Sequence, residues 1–280
     1  MLKINPALSY KRVKGYELTS GLSPSSMAAY LTCGLQFRLG KVDRVEYIGK
    51  PAAHFNFGSA IHKGLEPHWQ GHDENFKDAW AEYKTVPMQF KRNETWLTMY
   101  ARGQQMTKEV VEATLGTFEA DHSVVEIAEN LDLGFIIIKR RIDVLTIAKR
   151  MPILISGQLE DFSGPILLDL KTSAQLYYPD SVYQSQQLMT YSIPSPNLPI
   201  KPALAAYVVV TKAAKPSVQI IGRRYEKAEL KAQIVRYKQV AEMIKTGIYV
   251  QNKGKHCHFC QFRPLCYEEK GWQSAYKQNL

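Results

Sequence analysis

The run PILLDLKTS closes four apolar residues on an acid and a base, Asp169 and Lys171. Residues two apart share one face of a strand, so the carboxylate and the ammonium would enter a single site together. Metal-assisted hydrolysis of a phosphodiester needs that combination. Carboxylates hold a divalent cation that polarises the phosphate and lowers the pKa of its water, and a lysine positions the water or balances charge. The acid-x-Lys pattern also stands at Glu82–Lys84, Glu229–Lys231 and Glu268–Lys270. Those copies fall in expected helices or in the tail; only the Asp169 copy ends an apolar run.

A second set of reactive side chains is sulfur. Of the chain's 4 cysteines, Cys257, Cys260 and Cys266 share the stretch CHFCQFRPLC, and Cys33 stands near the other end. A buried cysteine behaves as a small apolar residue and needs no such company. Three thiols so closely spaced read as ligands of one soft metal centre, and most such centres take four. The stretch MLKINPALSYKRVKGYEL holds no continuous apolar run, and nothing approaches the roughly 18 apolar residues of a membrane span. A reducing, cytoplasmic setting is therefore expected, where clustered cysteines are metal ligands rather than disulfides.

The elements that must hold these groups follow from hydrophobic period. In LSPSSMAAYLTCGLQFRL, Ser23 is a helix cap and Pro24 the first helical residue. That helix is expected to run past Cys33 with Leu22, Leu31, Leu35 and Leu39 on its apolar face. FGSAIHKGLEPHWQ reads as a helix opened by Gly58, with His62 and Glu66 on one face. From about Asp73 to Phe118 the chain is helix-rich, packed through Trp80, Tyr83, Trp96, Met99 and Tyr100. At Ser123 the period changes. SVVEIAENL, GFIIIKRRIDVLTI, PILISGQLED and PILLDLKT read as a meander of strands. A helix over about Ser181 to Tyr191 follows, then strands ALAAYVVVT and VQIIGRRY, then a helix over roughly Glu226 to Lys245. The fold class is α/β: a mixed central sheet with an antiparallel meander flanked by helices. One domain over residues 1–280 is expected, with a helical region (22–120), a catalytic sheet and helix (121–225), and a helix with a cysteine tail (226–280).

The composition, 45% hydrophobic and 22% charged over 280 residues, is ordinary for a globular chain. A net charge of +10 points toward a polyanion. Lys139-Arg140-Arg141, Lys149-Arg150 and Arg223-Arg224 are its densest clusters, although solvated faces look the same.

In order along the chain stand Cys33, a Gly-x-x-x-His ending at His62, a strand acid, Asp169-x-Lys171, Gln187-x-x-x-Tyr191, and Cys257-x2-Cys260-x5-Cys266. This order resembles the iron–sulfur branch of the PD-(D/E)XK nucleases, which includes RecB-type and AddB-like nucleases, the CRISPR adaptation exonucleases and many phage exonucleases. The resemblance runs from about Ser23 to Tyr267. It implies a restriction-endonuclease-like core in which Asp169 and the Leu170 carbonyl coordinate Mg²⁺ or Mn²⁺, with His62 as a further ligand. Lys171 would orient the attacking water, and Gln187 and Tyr191 would contact the scissile phosphate or support the ligands. The four cysteines would bind a structural 4Fe–4S cluster joining the chain ends. Single-stranded DNA ends are the implied substrate, in recombination or repair, beside a separate helicase, recombinase or annealing protein, and a phage origin is implied. No membrane partner is expected.

The second acidic ligand is open between two residues. Asp143 has the right residue type on a good strand but lacks the family's preceding Gly-x-x, and it requires AKRMPILISGQLEDF to be an inserted strand. Glu160 has Gly157 in place. With a turn over Ser163 to Ile166 it would sit directly across from Asp169. Glu126 is a third possibility. Residue type favours Asp143. Two rival readings are a DNA-binding subunit without catalysis and an interaction module in which the cysteines hold zinc, with His256 or His258 replacing one of them.

Overall fold

A computed structural model of the protein describes residues 21–47, 51–267 and 276–277. They fall into two compact units. One gathers the described residues up to 47, Asn130–Lys139 and those from Lys231 onward; the other comprises those from 51 to Glu129 and Arg140–Leu230.

In the first unit, Ser23 caps α1 (Pro24–Thr32) by accepting from the Ser26 N–H. The helix does not run on past Cys33 as its apolar residues suggested. Cys33 is extended (φ −160, ψ 110), and the chain restarts as α2 (Gly34–Phe37) and a π-helical turn over Arg38–Val42. Gly34 permits this break, since a Cβ there would lie 2.7 Å from the Val250 nitrogen. Leu31 is accordingly exposed, while Leu35 and Leu39 join Cys33, Val45, Phe262 and Leu265 in a small core. Two-residue strands β1 (Glu46–Tyr47) and β7 (Tyr276–Lys277) pair antiparallel. Most of α8 (Lys227–Lys245) and the short α9 (Arg263–Tyr267) also belong here.

The second unit is built on helices α3 (Ala53–Trp69), α4 (Phe76–Ala81) and α5 (Trp96–Thr114) and on a five-stranded sheet ordered β2-β3-β4-β5-β6. The strands are β2 (Val124–Asp132), β3 (Ile137–Ile155), β4 (Gln158–Ser173), β5 (Leu204–Thr211) and β6 (Val218–Arg223). β4 runs antiparallel to β3 and parallel to β5, and β6 returns antiparallel. A parallel step needs a crossover. Here it carries α6 (Asp180–Tyr183) and α7 (Gln186–Tyr191), so the single helix expected over that region is broken at Ser185, which caps α7. The mixed sheet flanked by helices is the α/β class read from the period changes.

Every residue of β5 is buried, as is Ile166–Leu170 of β4. Such unbroken apolar runs belong to strands covered on both faces. Alternation sorts them. Ile166, Leu168 and Leu170 pack toward the α3–α5 layer with Phe57, Ile61, Phe76 and Trp80. Leu167 turns the other way, toward Leu188 and Tyr191 of α7. By the same parity Asp169 and Lys171 face α7. The helical layer is tight: at Gly64 an added Cβ would lie 2.6 Å from the Phe76 Cα.

The strand boundaries differ from those expected. GFIIIKRRIDVLTI and the beginning of PILISGQLED form one 19-residue strand, interrupted by a bulge between Ala148 and Met151 where Arg150 has φ 50. The chain reverses at Ser156-Gly157, both with positive φ, as a two-residue hairpin requires. Residues 158–173 are then one strand, with no turn over Ser163 to Ile166. Among the described residues no helix is long and apolar enough to cross a membrane.

Candidate metal centre

Val144 pairs with Leu168 across β3 and β4, so the next positions outward, Asp143 and Asp169, adjoin. The Leu170 N–H donates to Asp143 Oδ2 at 2.8 Å. A residue's N–H and C=O leave a strand on the same edge, so the Leu170 carbonyl opens toward Asp143 too. From α3, His62 brings Nδ1 to 3.2 Å from Asp143 Oδ2.

On the α7 side, Lys171 Nζ lies 2.5 Å from Asp169 Oδ2 and donates to Gln187 Oε1 at 2.8 Å. Gln187 Nε2 donates to Asp169 Oδ1 at 2.7 Å and to Tyr191 Oη at 3.0 Å. The i, i+4 spacing of Gln187 and Tyr191 thus becomes a direct contact. The Lys171 ammonium also stands 5.3 Å from the Tyr207 ring, and the Tyr207 hydroxyl bonds Ser185, the α7 cap.

Burial sets the electrostatics. Asp169 is 1% exposed. Desolvation pushes its carboxyl up to about 6; Lys171 opposes the rise and the Asp143 charge adds to it. Burial pulls His62 down, yet its hydrogen bond to Asp143 and the two carboxylate charges leave it above the ordinary imidazole value. Burial also raises Tyr191, which keeps its proton and remains a donor.

The structure therefore brings His62, Asp143, Asp169, Leu170, Lys171, Gln187 and Tyr191 to one end of the sheet. Glu160 is not among them. The expected turn is absent, so Glu160 shares β4 with Asp169 and sits nine residues away, roughly 30 Å along a straight strand. It pairs with Ile153 and lies 3.9 Å from Arg224. AKRMPILISGQLEDF is not a single strand as expected: it forms the end of the β3–β4 hairpin, turning at Ser156-Gly157.

Glu126 comes close by another route. Left-handed backbone at Glu126 (φ 51) aims its side chain at the site, where ligand atoms of His62, Glu126 and Asp143 lie within 4.8 Å of one another. Arg141 pairs with the Glu126 carboxylate in the meantime. A cavity of about 410 Å³ opens here, lined by His62, Glu66, Tyr83, Glu126, Arg141 and Asp143 among others. One imidazole among carboxylates suits a divalent cation of the Mg²⁺ or Mn²⁺ kind, so the donor set fits the metal that the sequence pattern implies.

The sequence reading met Arg140 only as part of a basic cluster pointing toward a polyanion, and missed its buried role. Its side chain is fully buried, pairs with Glu129, and donates to the carbonyls of Thr190 (3.3 Å), Tyr191 (3.2 Å) and Ile193 (2.6 Å). It closes the C-terminus of the helix that carries Gln187 and Tyr191. The signal was its parity: Arg140 occupies an inward position between Ile138 and Ile142.

In the other unit, Cys33, Cys257, Cys260 and Cys266 line a single cavity, all as free thiols. Burial pushes the Cys266 thiol up to about 11 and raises Cys260 as well, and in both the charges of the neighbouring thiols add to the rise.

Comparison with known proteins bears on this geometry. The family model of the PD-(D/E)XK nuclease superfamily matches residues 21–267. The crystal structure of a candidate exonuclease from Eubacterium rectale is similar, with a TM-score of 0.51 and 12% identity, covering 96% of this chain and 94% of that one. At that identity the likeness is one of fold. A search of curated proteins gave no match.

Proposed function

The chain belongs to the PD-(D/E)XK nuclease superfamily, and on that premise we propose that it is a Mg²⁺- or Mn²⁺-dependent DNA exonuclease acting on single-stranded ends. The observation that carries this reading is the meeting of Asp143, Asp169 and Lys171 at the sheet's end, with Leu170 bonded to Asp143. Asp143, Asp169, His62 and the Leu170 carbonyl would hold the cation. When bound, that ion neutralises charge on the phosphate and lowers the pKa of a water beside it.

The chain's own groups do the rest. Lys171, held between Asp169 and Gln187, presents one ammonium proton to the attacking water and balances charge as the phosphate becomes more negative. Gln187 ties Lys171, Asp169 and Tyr191 into one hydrogen-bonded row, so the lysine cannot drift. Tyr191, kept protonated, donates toward a phosphate oxygen. His62 must release its proton before its nitrogen can serve as a ligand.

The four cysteines would hold a structural 4Fe–4S cluster. The lining of one cavity by all four thiols supports a single shared centre. The net charge of +10 suits a phosphodiester backbone, and a separate helicase, recombinase or annealing protein would supply or use the strand.

The test is incubation of end-labelled single-stranded DNA with purified protein and Mn²⁺. Progressive release of short products by the wild type, and none by Lys171→Ala or in EDTA, is the expected result. Equal release by Lys171→Ala would overturn the proposal.

A further inference from the structure

One face of α3 carries more than the metal centre uses. Phe55, Ser59, His62 and Glu66 follow one another at helical spacing, and Ser59, His62 and Glu66 line the metal cavity. Phe55 continues that row two turns before His62, about 10 Å along the axis. Its ring is 66% exposed and leans on His54, with centroids 4.3 Å apart. No packing accounts for a phenylalanine left bare there, beside a catalytic cleft.

Two lysines lie on segments tied to the same end of α3 or to the strand end it meets. The loop that holds Lys91 is clipped to the start of α3, with Gln89 N–H donating to the Pro51 carbonyl (2.8 Å) and Ala53 N–H to the Gln89 carbonyl (2.9 Å). Lys212 follows β5, and its N–H donates to the Ser173 carbonyl at 2.7 Å. Ser173 is two residues beyond Lys171 on β4, about 7 Å along the strand. α3 meets the same strand end, since a Cβ on Gly58 would lie 3.7 Å from Thr172 Oγ1. Lys212 is partly buried, and burial together with Lys91 and Arg102 lowers its pKa, while Glu94 opposes the fall. His54 is lowered by burial and by both lysines, again against Glu94. Glu94 also faces Arg102, at 3.7 Å. One acid thus stands among two lysines, an arginine and a histidine, and an anion relieves like charges gathered beside a partly buried lysine.

We propose that Phe55, Lys91 and Lys212 form a nucleotide subsite beside the metal centre, in which the Phe55 ring stacks on a base of single-stranded DNA and the two ammonium groups hold its phosphate. It rests on the nuclease reading and adds where the strand lies: along α3, from the cleft at His62 to Phe55. A paired base has its faces stacked within the duplex, so this subsite selects an unpaired strand.

Fluorescence anisotropy with a labelled oligothymidylate in EDTA tests it, because binding is then read without cleavage. Phe55→Ala is expected to weaken binding roughly 5- to 150-fold, from the stacking of one base, and Phe55→Trp to restore it. A Lys91→Gln, Lys212→Gln double variant should flatten the dependence of log affinity on log salt by about 0.7, because one phosphate is no longer neutralised. An oligonucleotide abasic throughout should bind wild type and Phe55→Ala alike. Wild-type affinity in Phe55→Ala, or an unchanged salt slope in the double variant, would overturn the subsite even if the protein cleaves DNA. If wild type binds and Phe55→Ala does not, yet Mn²⁺ brings no cleavage, the subsite stands and the nuclease reading fails.

Discussion

Asp169 is where burial and function conflict. An ordinary carboxylate loses its proton well below neutrality, but burial holds this one to about 6. Between those values the folded chain keeps a proton that the unfolded chain has released, so the wild type loses stability as pH rises across that window. An amide at the position does not titrate. Metal-free Asp169→Asn should therefore melt above the wild type at pH 8, and the gap should narrow toward about pH 4; differential scanning calorimetry across that range checks both. A bound cation reverses the sign, because it needs the ionised form. Mn²⁺ affinity, read by isothermal titration, should fall as pH drops through about 6. Lys171 differs in kind: Lys171→Ala should retain Mn²⁺ binding yet lose about 100-fold or more in cleavage rate. These residues were legible because their spacing is short and falls within single elements. Asp169-x-Lys171 needs only a strand and Gln187-x-x-x-Tyr191 only a helix. Glu160 was misplaced because its role depended on where a hairpin turned. The chain turns at Ser156-Gly157, but Ser163-Gly164-Pro165 carries the same Ser-Gly signal and a Gly-Pro besides, so local turn chemistry pointed to the wrong place.

Secondary elements hold the site through a few buried polar ties and close approaches. α7 is six residues long and too short to be stable alone. Ser185 closes its start, bonded to Tyr207, and Arg140 closes its end against three carbonyls. Arg140→Met would leave Glu129 buried without its charge partner, only the Ser195 hydroxyl remaining, a loss of about 3–5 kcal/mol. Urea unfolding should show that loss. Arg140→Lys, which keeps the charge but not the fork, should recover part of it while Gln187 and Tyr191 remain misplaced and the cleavage rate stays low. A loss of stability with an unchanged rate would mean that α7 is positioned by other contacts. The helical layer was readable as helix-rich and packed by Trp80 and Met99, but its tightest point was not. That Gly64 lies against the Phe76 backbone is a property of the assembled pair, since glycine inside a helix signals only a cost in the sequence. The break at Cys33 was hidden for the same reason: the apolar period continues through it, and only the approach to Val250 shows why the helix stops.

For the protein as a whole, charge and sulfur make separate demands. A chain of net charge +10 that binds a phosphate backbone should lose affinity steeply between 50 and 200 mM salt, by factors of about 10 or more for each few contacts. On the proposed cluster reading, anaerobically purified protein should be brown and iron-bearing. Cys257→Ser should remove colour and iron together and lower the melting temperature, because a ligand set drawn from both chain ends constrains the unfolded chain strongly. Colourless protein with one equivalent of zinc would contradict the cluster. The α/β class could be read from period changes alone. The order of strands could not, because pairing β4 parallel to β5 depends on a crossover whose helices are short.

The arrangement on which the nuclease reading depends is one divalent ion held by Asp143 and Asp169. Anomalous scattering from a crystal soaked in Mn²⁺ locates that ion directly. A peak about 2.1 Å from carboxylate oxygens of both residues, with His62 or Leu170 beside it, is the expected result. A peak at Glu160, or none within reach of Asp169, would contradict the account.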